Sequence, residues 1–198
     1  MNASRTLMRL GLIALAGASL AACGQRREQT AEAPPPAAGP PAPIEQTPAP
    51  LPTSAPLTPY GWGKITIDMA EAEAVAAGLS LPESAKAGPE CHVLVSRAYP
   101  GLLAMVEDGK VSRISVRETT ALKTDKGLGV GDTPEAVRAA YGDSLVSLPH
   151  KYAPAPAAYL TVWSLPNKRG VRYVIGDTGK VAEVHVGGPS IEYVEGCG

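Results

Sequence analysis

Eleven of the 20 prolines in this 198-residue chain fall between Gln25 and Pro59, in runs such as Pro34-Pro35-Pro36 and Pro48-Ala49-Pro50, mixed with Ala, Thr, Ser and Gln. Proline has no backbone donor and holds φ near −65°, so a stretch this dense in it forms neither helix nor sheet and extends toward polyproline II. Folding is confined to the residues C-terminal to it, and residues 23–59 read as a tether. At about 3 Å per residue its reach is of order 100 Å when extended.

A targeting segment precedes the tether. Arg5 and Arg9 form a positive start, and Leu10 to Ala22 is an apolar run of signal-peptide length, shorter than the about 20 residues a bilayer span needs. Residues 1–22 therefore read as a signal peptide. Its end, Leu20-Ala21-Ala22-Cys23, resembles the lipobox of bacterial lipoproteins. That resemblance implies cleavage before Cys23, a diacylglyceryl group on its sulfur and palmitate-type acylation, hence a membrane anchor. Gly24 in place of an aspartate implies sorting to the outer membrane, with the folded part in the periplasm. Two or more buried acyl chains are what stable anchoring requires.

Residues 60–198 have the size of one domain. They hold 14 Lys and Arg against 16 Asp and Glu, so they lack the concentrated positive charge that drives nucleic-acid binding, and no nucleic-acid partner is expected. There is no phenylalanine, so the core must be built from aliphatic side chains with a few Tyr and Trp.

An internal repeat organises this domain, over about 61–118 and 119–194. Gly179-Lys180-Val181-Ala182-Glu183-Val184-His185-Val186 matches Gly109-Lys110-Val111-Ser112-Arg113-Ile114-Ser115-Val116, an offset of 70. Asp132-Thr133-Pro134-Glu135-Ala136 matches Asp68-Met69-Ala70-Glu71-Ala72, an offset of 64. Matches in the same order point to a duplicated unit. In the second half Thr133 is a good N-cap, Pro134 suits the first turn, Glu135 favours the helix dipole and Gly142 can end the helix. Ala136, Val137, Ala140 and Tyr141 form its apolar stripe; Met69, Ala72, Val75 and Ala76 form that of the first half. Strands come next: Cys91 to Ser96, Leu102 to Glu107 and Lys110 to Arg117 around an Asp108-Gly109 turn suited to type I′, then Tyr159 to Leu165, Arg172 to Ile175 and a last strand after Gly179. Alternation buries Ile114 and Val116, leaves Val111, Arg113, Ser115 and Arg117 on a polar face, and buries Ala182, Val184 and Val186 in the last strand. The expected fold is α+β: two tandem helix-plus-antiparallel-meander units forming a curved sheet with helices on one face.

Paired helix-plus-meander units, the helix opened by Gly131-Asp132-Thr133-Pro134-Glu135 and the meander ending in Gly-Lys-Val, resemble the fold shared by β-lactamase inhibitor protein and the SmpA/OmlA type of small outer-membrane lipoprotein. The resemblance spans Gly63 to Val194 and implies a binding function: inhibition of a secreted enzyme or support of an envelope assembly machine. The chain has two units where the SmpA/OmlA type has one, and no functional residue is carried over.

With Cys23 lipidated, Cys91 and Cys197 remain in an oxidising compartment, and a disulfide between them is expected; two free thiols, or a bridge to another chain, are the alternatives. His92, His150 and His185 have no metal-ligand spacing, so no metal or other cofactor is expected. Asp143, Ser144, Ser147 and His150 lie near one another in the chain without a nucleophile elbow. Gly127, Gly129 and Gly131 read as turn glycines that allow close backbone approach. No catalytic residue is assigned, and the chain is expected to be a non-enzymatic envelope lipoprotein that binds a protein partner, as an inhibitor or adaptor. The alternative is a structural lipoprotein of outer-membrane or cell-wall assembly; an unrecognised enzyme stands third. Trp62, Tyr152, Trp163 and Arg172, of the residue types that dominate binding hot spots, form the candidate binding surface; the competing reading puts the aromatics in the core.

Overall fold

The computed structural model describes residues 55–82, 90–117, 121–164 and 168–197. The expected signal peptide, Cys23 and the tether up to residue 54 lie outside them. The fold is α+β: a large antiparallel sheet with two helices packed against it, plus a small two-stranded ribbon of β1 (Gly61–Trp62) and β2 (Ile65–Thr66).

The chain runs twice through one sequence of elements. First come α1 (Glu71–Ala76), β3 (Leu79–Ser80), β4 (Cys91–Ser96), β5 (Leu102–Glu107) and β6 (Lys110–Arg117). Then come α2 (Pro134–Tyr141), β7 (Leu145–Pro149), β8 (Ala158–Ser164), β9 (Arg169–Ile175) and β10 (Val181–Gly187). Each half is an up-and-down meander, and the halves join edge to edge through their last strands, giving the order β3-β4-β5-β6-β10-β9-β8-β7. The β6–β10 register pairs Val116 with Val184, Ser115 with His185 and Ile114 with Val186. Ser115 and His185 are also the residues that the 70-residue sequence offset equates. The seam is therefore centred on one pair that is at once repeat-equivalent and face to face.

Several strands fall where alternation and turn chemistry put them. Cys91–Ser96, Leu102–Glu107 and Lys110–Arg117 match their expected limits, and Asp108 and Gly109 take φ of 49° and 72°, as a type I′ turn demands. The strand expected at Tyr159–Leu165 is Ala158–Ser164, Leu165 lying outside the described residues, and the one expected from Arg172 begins at Arg169.

Two faces differ from the alternation reading, for one reason. In the β5–β6 hairpin the register shifts between Met105 and Val106, so that Val106 faces Val111 while Met105 faces Arg113 and Ser112 is left over. In the β9–β10 hairpin Ile175 faces Val181 and Val174 faces Glu183, leaving Ala182 over. Each bulge, at repeat-equivalent positions, turns one residue across the sheet. Val111, expected on the polar face, is fully buried in the core; Ala182, expected buried, is exposed and Val181 is buried instead.

The helix caps correct the repeat offset. Thr133 caps α2 and accepts a hydrogen bond from the Ala136 N–H at 3.3 Å. The cap of α1 is Ala70, whose N–H donates to Glu73 Oε2 at 3.1 Å. Ala70 thus corresponds to Thr133, an offset of 63 and not 64, and Asp68 (φ 70°) to Gly131 (φ 90°), both in the left-handed region. With this shift Ala74 corresponds to Val137, and these are the buried residues of the two helices. Val75, expected in the buried stripe, is 45 % exposed, and Ala72, Ala76, Ala136 and Ala140 are exposed as well.

One face of the sheet carries the core: Ile114, Val116, Leu160, Tyr173, Ile175, Val184 and Val186 pack with Ala74, Val137 and residues of the preceding loops. Leu57 is fully buried there and its N–H donates to the Lys123 carbonyl at 2.8 Å. The folded part therefore starts before the expected boundary at Tyr60, with Leu57 inserted between prolines. Gly129 lies so close to the Leu122 carbonyl that a Cβ would stand 2.6 Å from it, the close approach expected of the alternating glycines.

Candidate functional site

Among the described residues the opposite face of the sheet carries no α-helix. Register partners cross it from edge to edge as Ser80, Val95, Leu103, Ser115, His185, Arg172, Thr161 and Val146, one per strand. A second row runs Leu148, Tyr159, Val174, Glu183 and Arg117. The halves differ in chemistry here: β4 and β5 present the aliphatic Val93, Val95, Leu103 and Met105, whereas β8 and β9 present Tyr159, Thr161 and Arg172.

A strap formed by the C-terminal residues 188–197 crosses this face. It begins with a 3₁₀ turn, Pro189–Glu192, and ends at Cys197, disulfide-bonded to Cys91 on β4 with a Cα–Cα distance of 5.5 Å. The expected bridge is present, and what it ties down is the strap. Arg113 Nη1 donates to the carbonyls of Ser190 and Tyr193, both at 3.0 Å, Arg172 Nη1 to that of Ile191 at 3.2 Å, and Ser190 Oγ to that of Ser112 at 3.0 Å. Ile191, Met105 and Tyr159 are buried apart from the main core, so the strap closes a second, thinner apolar layer.

This covering overturns the expectation of an open polar face on β6. Arg117 is exposed, but Arg113 is only 8 % exposed and Arg172 on β9 only 4 %. Burial lowers the pKa of both guanidinium groups, with Glu183 and Glu107 opposing the shift at Arg113 and Glu192 at Arg172; both remain cations because arginine starts so high. The Nε atoms of both are buried with no hydrogen-bond partner among the described residues. The Arg172 guanidinium sits 4.2 Å over the Tyr159 ring, and His150 stacks on that ring with centroids 4.7 Å apart.

Ser115 and His185 occupy the floor of the face at the seam. Ser115 Oγ lies 2.8 Å from His185 Nδ1. Burial first, then Arg113, Arg172 and Arg117, push the His185 pKa well below its ordinary value, so the imidazole is neutral. Glu183 Oε1 is 3.8 Å from the same Nδ1. In a hydrolytic relay the serine and the carboxylate sit on opposite ring nitrogens; here both approach one, so the imidazole is fixed but not placed to pass a proton between them. Glu183 itself is pushed up by burial, with Arg113 and Arg117 opposing.

Beside the strap lies a recess of about 410 Å³ between the aliphatic strip of Val93, Val95, Leu103 and Met105 and the charged groups Arg113, Arg117 and Glu183. A smaller recess of about 120 Å³ on the other flank is lined by Tyr152, Tyr159, Arg172, Tyr193 and Val194 among others. Tyr152, Tyr193 and Val194 are 61 %, 47 % and 38 % exposed, and the edge residues Val146 and Leu148 are 50 % and 46 % exposed. The Tyr152 hydroxyl donates to Glu195 of the strap, which also lies 3.5 Å from Lys151 Nζ.

Of the expected surface, only Tyr152 and Arg172 come together, in the smaller recess. Trp62 is 1 % exposed, donates from Nε1 to the Ala55 carbonyl at 2.7 Å and meets Tyr99 edge-on at 4.8 Å: it is core, and it clamps the start of the fold. Trp163 is half-buried, lying over Gly170, where a Cβ would stand 2.8 Å from its ring and 2.9 Å from Ile191. The residues that sequence reasoning passed over are Ser115, Glu183, His185 and the Val93–Leu103 strip. The repeat alignment, which equates Ser115 with His185 and Arg113 with Glu183, was the signal that pointed to them.

The other two histidines make local contacts. His92 lies 2.8 Å from Glu71. His150 Nδ1 accepts from the N–H groups of Tyr152 and Ala153, both at 3.2 Å, as a turn cap. Among the described residues no three His, Cys, Asp or Glu side chains gather to hold a metal ion, and no helix is long and apolar enough to cross a membrane. No protein family, curated protein or solved structure matches this chain.

Proposed function

We propose that this chain is a lipid-anchored bacterial envelope protein whose folded part is a duplicated helix-plus-meander unit, and that it binds a protein partner across its helix-free sheet face as an inhibitor or adaptor. The observation that carries the reading is the asymmetry of that face. Repeat-equivalent positions hold an aliphatic strip in the first half, partly exposed at Val93, Val95 and Leu103 and buried at Met105, and a tyrosine–arginine cluster in the second, side by side along one strap. An apolar patch rimmed by charged and aromatic groups is the composition of a protein-binding surface. The duplication is supported by the repeated element order, by the bulges at Ser112 and Ala182, and by the seam at Ser115 and His185.

The anchor rests on Leu20-Ala21-Ala22-Cys23 and on the proline-rich tether, which together hold the domain at a distance from the membrane, as the lipobox resemblance implies. The resemblance to β-lactamase inhibitor protein and to small outer-membrane lipoproteins is in keeping with a sheet face as the working surface.

Two measurements test the proposal. Fatty-acid labelling of the full-length chain should mark the parent and not Cys23→Ser; label retained in the variant sinks the anchor. A pull-down from native envelope with mass spectrometry should recover a partner with the parent and lose it with Leu103→Glu. A soluble secreted enzyme among the lost proteins identifies an inhibitor and an outer-membrane complex identifies an assembly role, while an unchanged set removes this face from the reading.

A further inference from the structure

The two edges of the eight-stranded sheet are unlike. One is β3, only Leu79–Ser80, and short edge strands resist further pairing. The other is β7, Leu145–Pro149, five residues without a charge, and no described strand or bridge lies on its outer side. Val146 and Leu148 are opposite Thr161 and Tyr159, so both point to the helix-free face, where they are 50 % and 46 % exposed. Apart from Pro149 at its end, this edge carries neither the charged side chains nor a bulge by which sheets discourage pairing.

We infer that β7 is a self-association strand, pairing antiparallel with β7 of a second copy about a two-fold axis at Ser147. This inference is independent of the partner-binding reading. The first support is the direction of the backbone groups. The His150 N–H donates inward, to the Ala157 carbonyl at 3.4 Å. Donors alternate along a strand, so those of Leu148 and Val146 also face β8, whereas those of Ser147 and Leu145 face out. Antiparallel pairing centred on Ser147 lets each serine donate to and accept from its counterpart, and each Leu145 N–H donate to the other copy's Pro149 carbonyl. Pro149, which has no donor, sits at the end of this ladder, where its loss matters least.

The second support is complementarity. In this register Val146 stands opposite the other copy's Leu148 as a non-hydrogen-bonded pair, where side chains approach most closely, and it does so twice by symmetry. Four residues out from Ser147 on either side, Asp143 falls opposite the other copy's Lys151. Asp143 is exposed in the turn before β7, and Lys151 is exposed in the turn after it, within 3.5 Å of Glu195. A strand uncharged in its middle, acidic before and basic after is self-complementary only when antiparallel. The third support is closure: joining two β7 edges leaves β3 at both ends of the combined sheet, so the contact stops at a dimer and does not extend into a filament. Lipid anchoring of both copies in one membrane would raise their effective concentration and favour so short an interface.

Cysteine cross-linking in the full-length chain, in native envelope under mild oxidation, tests the register. Hydrogen-bonded antiparallel pairs place Cα atoms about 5.5 Å apart, within disulfide range. Ser147→Cys should give a homodimer that reductant reverses. Val146→Cys and Leu148→Cys should each link several-fold less when alone, and together should link when co-expressed. Asp177→Cys, in the exposed β9–β10 turn, is the collision control. Asp143→Lys should reduce the Ser147→Cys dimer, and adding Lys151→Asp should restore it. Equal yields at 146, 147, 148 and 177, a missing dimer in a chain present at parental level, or a Ser147→Cys adduct with a different protein would each overturn the inference.

Discussion

Replacing Arg113 with methionine removes the guanidinium that holds the strap while keeping an unbranched side chain of similar length under it. The group makes charge-assisted hydrogen bonds to the carbonyls of Ser190 and Tyr193, both at 3.0 Å. Hydrogen bonds to charged groups contribute about 1.5–3 kcal/mol each. Relief of the guanidinium's own desolvation offsets part of the loss, so the net destabilisation should be about 3 kcal/mol, roughly 10 °C in Tm for a domain of this size. The loss should also depend on pH. Glu183 is already pushed up by burial, and Arg113 is the first of the two cations that oppose the shift; without it the folded-state pKa rises further. A carboxylate with a raised folded pKa contributes stability that is present below its unfolded value, about 4.3, and lost as pH rises through the folded value. The deficit of Arg113→Met relative to the parent should therefore be smaller near pH 5 than at pH 8. Urea unfolding of parent and variant at both values is the assay. A deficit below about 0.5 kcal/mol, the scale of an ordinary surface substitution, or one that shrinks as pH rises, would refute the assignment of Arg113 as the clasp beside a buried carboxylate.

Further outcomes concern the same face. His185 has a folded pKa pushed well down by burial and by Arg113, Arg172 and Arg117. A depressed histidine costs stability as pH falls through its unfolded value near 6.5, by up to about 1.4 kcal/mol per pH unit. His185→Gln should flatten the parent's fall in stability between pH 7 and 5, and an unchanged slope would assign that fall to other groups. The Cys91–Cys197 bridge, separated by 106 residues, should contribute about 4–5 kcal/mol on the chain-entropy account; intact-mass analysis after thiol blocking should find both cysteines reactive only once reduced. Gly170→Ala should destabilise by about 1–3 kcal/mol in urea, because the added Cβ would stand 2.7 Å from the Val162 carbonyl; a neutral result would mean that β8 and β9 can part there without loss.

How much was legible in the sequence depended on whether local chemistry or distant covering decided the outcome. The Asp108-Gly109 hairpin and the cap at Thr133 were readable because a turn and an N-terminal hydroxyl act within a few residues. The bulges at Ser112 and Ala182 were not, since alternation assumes an unbroken ladder and nothing in either residue type announces the extra position. The burial of Arg113 and Arg172 was hidden for a different reason: the strap that covers them lies 77 and 19 residues further along, at Ser190 and Ile191. An isolated strand bearing an arginine reads as solvent-facing. Trp62 misled for the same reason, because its residue type suits a binding surface and only Ala55 and Tyr99, brought to it by the fold, make it core. The candidate site was thus visible mainly as a pairing of repeat positions, Ser115 with His185, and not as a motif.

Site-specific photo-crosslinking in the native envelope tests the central claim, that the helix-free face is the working surface, most directly. A photoreactive residue would be placed singly at Val95, Leu103, Tyr152 and Tyr193 on that face and at Glu135 and Ala139 on α2, in the full-length chain. The account predicts one recurrent protein adduct from the positions on the helix-free face, absent from those on the helix. Adducts of equal yield from both faces, or adducts confined to α2, would contradict it.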